Sequence, residues 1–268
     1  GDHRDLHSFP TRRSSDLHQA ILGNQHLFEG KVVLDVGCGT GILSLFAAKA
    51  GAAHVYGVDF SDIATQAQRI VQENGFGNRV TIIKGKLEEV TLPVESVDVI
   101  VSEWMGYFLF YESMLDTVLF ARDKWLKPDG IMLPDKASLH VCGVEDAEYK
   151  QDKIEFWTNV YGFNMSCIRQ LAISEPLVEY VDARQVNTEP CKLIELDLKT
   201  MKAEDVDFTA AFEVNASRND YIHGLLAYFD VSFTSCHKPI TITTSPKSIT
   251  THWKHDPIWL KPFITCEK

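Results

Sequence analysis

Hydrophobic and polar positions fall into two regimes along the chain. In the first half, short runs of valine, isoleucine and leucine alternate with stretches of helical composition. Lys31 to Val36 (KVVLDV) is a nearly continuous apolar run, the pattern of a parallel strand buried on both faces. Ile42 to Ala50 is a run of good helix formers stopped at Gly51, and Ala53 to Val58 reads as a second strand with Asp59 at its carboxyl end. Arg79 to Val90 (RVTIIKGKLEEV) gives a third strand and a turn. SVDVIVSEW gives a fourth strand ending at Glu103, and GIMLPDKASLHVCGV reads as a last sheet strand leading across a linker. From about Leu139 the period changes to two, as in KLIELDLKT, FTAAFEVNA and LLAYFDVSF, which predicts half-buried antiparallel strands. Between the regimes, YKQDKIEFWTNVYGF is helical, and its Phe156, Trp157 and Tyr161 are either core packing or a protruding surface.

Composition narrows the function classes. The 268 residues suffice for one large domain or two modest ones, with 45% hydrophobic and 24% charged residues. No apolar run reaches the roughly 20 residues that span a bilayer. The six cysteines are scattered without a C-x-x-C pair, so no metal site or disulfide framework is expected. A net charge of -11 disfavours a phosphate-binding surface, so neither nucleic acid nor membrane is an expected partner. Such a charge attracts cations, and it also simply keeps a protein in solution.

The glycine turn after the first strand carries candidate chemistry. In DVGCGTG, Gly37, Gly39 and Gly41 let the chain turn sharply and let a ligand approach the backbone. A dinucleotide site calls for G-x-G-x-x-G, but Ile42 stands where the third glycine should be, and Asp35 would be unhelpful beside a pyrophosphate. An NAD-dependent dehydrogenase is therefore disfavoured. A ligand with an amine and a neutral ribose suits the turn better, with Asp59 accepting from ribose hydroxyls. Leu87 and Glu88 follow the third strand; taken alone they read as a solvated acidic turn, and beside such a ligand Leu87 could pack on an adenine ring and Glu88 accept from its amino group. The pattern D-x-G-x-G-x-G with a downstream acid resembles the S-adenosyl-L-methionine site of Rossmann-like methyltransferases.

A second feature is SEWMGYFLFYESM (Ser102 to Met114). Glu103 and Glu112 lie nine positions apart with no lysine, arginine or histidine between them. Either the segment is a greasy surface loop, or the cation these acids need arrives as a substrate. This segment resembles the double-glutamate loop of type I protein arginine N-methyltransferases. LDVGCGTGIL, KGKLEEV, ARDKWLKPDG, VYGFNMSCI, RNDYIHGLLAYFDV and the THW of Thr251 to Trp253 match that family in order, from about His18 to Lys254.

The resemblance implies a fold, a reaction and roles. A Rossmann-like cofactor domain over 18–136 would be followed by an antiparallel β-barrel over 137–268, incomplete at its end, with a helical arm at about 148–180. The arm would dock on a second copy to make a homodimer. Asp35, Gly37 and Asp59 would hold the cofactor's methionine and ribose parts, and Glu88 its adenine. Glu103 and Glu112 would grip the substrate guanidinium, and Met114 would shape the space around the acceptor nitrogen. His252, counted with the two glutamates as catalytic, and Trp253 would complete the pocket. Methyl groups would pass from S-adenosylmethionine to arginine in Gly/Arg-rich proteins and histones, giving mono- and asymmetric dimethylarginine, in the nucleus and cytoplasm. An inactive scaffold with the same fold is the alternative. A guanidinium stays charged because its pKa exceeds about 12, and two carboxylates match its planar fork of donors. At an effective dielectric near 20 each close contact is worth on the order of 4 kcal/mol, before desolvation is charged against it.

Two departures stand out. HSFPTRRSSDL, at 7–17, shows no helical or strand periodicity and resembles the conceptual translation of a sequencing-library adapter, so residues 1–17 are expected to be non-native and carry no weight in the fold. It replaces the family's cofactor-covering helix, and the acid that would pair with His252 should fall near Pro10. After Lys254 the chain reads HDPIWLKPFITCEK where the family has a QTVF type of sequence.

Overall fold

The computed structural model describes residues 12–175, 177–249 and 251–266. Five parallel strands form the first sheet: β1 (Val32–Val36), β2 (His54–Asp59), β3 (Val80–Lys84), β4 (Val97–Ser102) and β5 (Leu126–Leu133), in the order β3-β2-β1-β4-β5. The apolar run of β1 makes it the central strand, almost wholly buried, paired with β2 on one side and β4 on the other. Strand order therefore reverses between β1 and β4, which opens a crevice at their carboxyl ends where α/β sheets bind ligands. Helix α1 (Arg12–Leu22) precedes the sheet, and α2 (Ile42–Lys49), α3 (Ile63–Glu73) and α4 (Met114–Trp125) pack on it.

Helix α1 reaches back into the stretch set aside above. The stretch 7–17 takes up regular structure from Arg12 onward, and Leu17 is 5% exposed within the core; the part with Pro10 lies outside the described residues. The sequence HQAIL supplies buried Ala20 and Ile21, and a helix started by that apolar face extends at little cost into the residues before it.

Only Pro134 and Asp135 separate β5 from β6 (Lys136–Val144), which opens the second sheet. This sheet contains β7 (Cys191–Asp197), β8 (Asp220–Phe233), β9 (Ile240–Thr243) and β10 (Asp256–Cys266), in the order β10-β8-β6-β7 with β9 beside β8. All its pairings are antiparallel, and among the described residues none joins β10 to β7. The alternating stretch FTAAFEVNA forms no strand. Near its end its backbone meets the segment ahead of β7, where Ala216 bridges Thr188 and Glu189 N donates to Asn215 O, so alternation alone did not secure a partner edge.

The expected single helix of the arm is also broken up. Ala147–Tyr149 (α5) runs into a π turn at Lys150–Ile154 and a 3-10 turn at Glu155–Thr158; the chain then turns at Tyr161 and Gly162, both at positive φ. The regular helix of the arm is α6 (Ser166–Ser174). Tyr161, 96% exposed, Phe163, 69% exposed, and Phe156 protrude, while Trp157 is half-buried. One continuous buried cluster joins the two sheets, from Phe28 and Leu34 to Leu139, Phe229 and Trp253. Arg122 on α4 reinforces it by donating from Nη1 to Leu198 O and Met201 O, both at 2.7 Å.

Candidate active site

Every acid singled out in the first half lies at the carboxyl edge of the parallel sheet. Asp35 is the penultimate residue of β1 and is fully buried. Ser44 Oγ on α2 donates to its Oδ2 at 2.7 Å, while Oδ1 is buried with no hydrogen-bond partner among the described residues. Burial, partly offset by Ser44, pushes the Asp35 carboxyl up to about 7. Burial also pushes the neighbouring Cys38 thiol up, with Asp35 and Asp59 adding to it, so this cysteine stays protonated.

The glycine turn then folds against β2. Gly37 and Gly39 both adopt positive φ, and Gly39 N donates to Asp59 Oδ2 at 2.9 Å. Asp59 Oδ1 accepts from Ser61 N and Oγ at 2.9 and 2.6 Å. A carboxylate has about four acceptor positions, so Asp59 retains capacity for hydroxyl donors. A Cβ on Gly39 would meet nothing within 4 Å, so the turn faces open space. A Cβ on Gly37 would lie 2.1 Å from Met114 Cε, so the first residue of α4 packs directly on the turn. Gly41 starts α2 as its left-handed N-cap. After β3, Leu87 is buried in the core, and Glu88 at the surface accepts from Thr117 Oγ1 on α4 at 2.8 Å.

The two-glutamate loop begins where β4 ends. Ser102 Oγ donates to Val36 O at 2.8 Å and ties the ends of β4 and β1 together. Glu103 is half-buried and Glu112 exposed. Between them the chain folds back on itself: Gly106 N donates to Leu109 O at 3.0 Å and Tyr111 N to Tyr107 O at 3.0 Å. Phe108, Leu109, Glu112 and Ser113 all adopt positive φ. Non-glycine residues rarely do so, and such strain gathers at functional sites.

The second sheet closes the loop from behind. Trp253 is 3% exposed; its Nε1 donates to Met105 O at 2.8 Å and its ring packs edge-on against Phe229. This places Trp253 beneath the loop. His252 is half-buried beside it, with ring centroids 4.0 Å apart. Asp256, which sequence reasoning missed, accepts from Phe108 N at 2.8 Å, and burial raises its carboxyl to about 6. Ser44, Ser61 and Thr117 were missed as well. The clue to Asp256 was a lone acid ahead of the apolar run PIWL, a weak signal without its distant partner.

Comparison with known proteins fits this geometry. Residues 33–130 match the family model described as "Methyltransferase domain", and 135–267 match "Arginine methyltransferase oligomerization subdomain". Protein arginine N-methyltransferase 1 of Chlamydomonas reinhardtii is 60% identical over 256 residues, 96% of this chain and 74% of the relative. The chain belongs to the protein arginine N-methyltransferases. Protein arginine N-methyltransferase 1 of Schizosaccharomyces pombe is 57% identical over 242 residues, 90% of this chain and 71% of that one. Among solved structures, the Trypanosoma brucei PRMT1 enzyme-prozyme heterotetrameric complex with AdoHcy superposes with a TM-score of 0.93 at 47% identity, covering 96% of this chain and 81% of that one. Arabidopsis thaliana protein arginine methyltransferase 10 superposes at 0.84 with 31% identity, over 96% of this chain and 81% of the other. In this arginine methyltransferase the glycine turn after β1 and the two-glutamate loop after β4 lie side by side at the switch point of the sheet.

Proposed function

We propose that this chain is a type I enzyme that methylates the guanidinium nitrogens of arginine residues in proteins, giving mono- and asymmetric dimethylarginine. One observation carries the reading: Glu103 and Glu112 flank a single strained loop that abuts, through Met114, the turn below Asp35. S-adenosylmethionine supplies an electrophilic methyl group on a sulfonium. The residues present suit it. Oδ1 of Asp35, without a hydrogen-bond partner among the described residues, calls for a donor such as the cofactor's amine, Asp59 has acceptor capacity for a ribose, and Glu88, exposed after β3, would accept from an adenine amino group. Glu103 and Glu112 hold the substrate guanidinium, localise its charge on one side and leave the other nitrogen nucleophilic. Alignment and charge placement supply most of the acceleration.

Glu103→Gln and Glu112→Gln are each expected to lower methyl transfer to a glycine- and arginine-rich peptide by more than about 100-fold, with cofactor affinity changed less than about 3-fold. Near-normal turnover in both variants would overturn the assignment. Histones and Gly/Arg-rich proteins are the proposed substrates, supported by the family and by the acidic surface, with nucleus and cytoplasm as the compartments. Fluorescence imaging of the tagged chain checks the compartments.

The proposed assembly is a homodimer through the arm, supported by the match to an oligomerization subdomain and by the exposed Phe156, Tyr161, Phe163 and Leu171.

A further inference from the structure

The loop between Glu103 and Glu112 is held from outside by one short segment of the second domain. Trp253 Nε1 donates to Met105 O, and Asp256 Oδ2 accepts from Phe108 N, each at 2.8 Å and each across 148 positions of sequence. The two contacts run in step, three residues on each strand of the contact. The first holds the loop just after Glu103. The second holds its apex, where Phe108 and Leu109 enter the left-handed region at φ of 52° and 64°. That conformation is uphill for side chains of this size, so the apex needs an external partner to persist.

The support behind Asp256 is itself fixed. His255 Nδ1 accepts from Val181 N at 2.9 Å, and the His255 and Glu179 backbones exchange two hydrogen bonds at 2.9 and 3.0 Å. Segment 253–256 is thus seated between the chain that leaves the arm and the loop that carries the glutamates. Asp256 is 9% exposed, and its stretch departs from the family's QTVF type of sequence.

We propose that Asp256 is a positioning residue for methyl transfer: by accepting the Phe108 N–H it holds the turn between Glu103 and Glu112 in its working shape. The proposal rests on the reading of those glutamates as the guanidinium clamp. The role asks for an acceptor atom at the right reach, so an amide oxygen at the same distance substitutes for the carboxylate. A carboxylate on a longer stem does not.

The test compares Asp256→Asn, Asp256→Glu and Asp256→Ala in the full chain by two readouts. One is hydrogen exchange of the Phe108 amide; the other is steady-state methylation of a glycine- and arginine-rich peptide, with cofactor affinity measured alongside. Asp256→Asn is expected to keep the amide protected and kcat/KM within about 3-fold of the parent. Asp256→Glu and Asp256→Ala are expected to speed exchange and lower kcat/KM by at least about 10-fold, with cofactor affinity unchanged. A merely structural role would not give recovery by Asn alone. Activity kept by Glu and lost by Asn would overturn the proposal in favour of charge, and activity and protection unchanged in all three would overturn it outright. If Asp256→Ala does not fold, the contrast between Asn and Glu still decides. A parent chain that transfers no methyl group would overturn the clamp reading instead, and exchange would still separate Asn from Glu.

Discussion

Asp35 is the most demanding residue at the sheet's carboxyl edge, because its carboxyl group is fully buried and, among the described residues, only one of its oxygens is hydrogen-bonded. Its pKa rises from 3.8 to about 7, mainly through burial. A folded-state value above the unfolded one means that the native chain binds the extra proton between those limits. Its contribution to stability is therefore fully present below about pH 4 and is lost as pH rises through about 7. In thermal melts without cofactor, the parent is expected to lose stability between pH 5 and about 8 relative to Asp35→Asn, which carries no such titration. A cofactor amine that meets Oδ1 favours the ionised form, so calorimetry in buffers of different ionisation enthalpy should record proton release on binding below pH 7. A parent and an Asn variant with parallel pH profiles would rule out a buried, titrating Asp35. At this scale the places of Asp35, Asp59 and Glu103 at the carboxyl ends of strands were legible because each acid stands in or just after an apolar run. Asp256 was not: its partner is a backbone N–H 148 positions away, and no local pattern records such a contact.

The elements that hold these residues were legible to different degrees, and for physical reasons. The parallel strands and α2 came through because buried runs and helix formers leave a strong local signal. The arm did not, because its short turns follow from Asn159, Tyr161 and Gly162, where Asn159 Oδ1 accepts from Gly162 N at 2.9 Å and the chain reverses. The two-glutamate loop is the element on which the proposed clamp depends. Its four non-glycine residues at positive φ each cost on the order of 1–2 kcal/mol, so its hydrogen bonds and outside supports must exceed that. Gly106 makes the folded-back shape possible: a Cβ there would lie 1.8 Å from Tyr111 O, a backbone atom that cannot move aside alone. Gly106→Ala should therefore open the loop, lowering methyl transfer by more than about 100-fold while cofactor binding, proposed to use the turn after β1, changes little. Peptide methylation and cofactor titration on the same preparation check this, and full activity in the variant would show that the loop's close approach is dispensable.

For the whole molecule, the two-domain order of parallel sheet then antiparallel sheet was readable from the change of period, because each sheet buries its faces differently. How the arm is used was not readable, since exposure of its aromatics depends on the assembled fold. Those side chains project from the second domain, with a recess of about 560 Å³ between Gln151, Asp152, Glu155, Phe156, Thr158 and Asn159 alongside. Aromatic side chains this exposed are strong candidates to anchor an interface. Two copies of this chain each carry a net charge of -11, so their approach is opposed by repulsion that salt screens within about 8–10 Å. The proposed homodimer is therefore expected to tighten between low salt and about 0.5 M salt, the opposite of an interface built on ion pairs. Replacing Tyr161 and Phe163 by aspartate adds charge at the contact while removing two exposed rings, and neither side chain supports the core. Light scattering should show dimers for the parent and monomers for the double variant, with melting temperature nearly unchanged for the monomeric unit. A parent that is monomeric at every salt concentration, or a double variant that stays dimeric, would show that the arm's aromatic face is not the subunit contact.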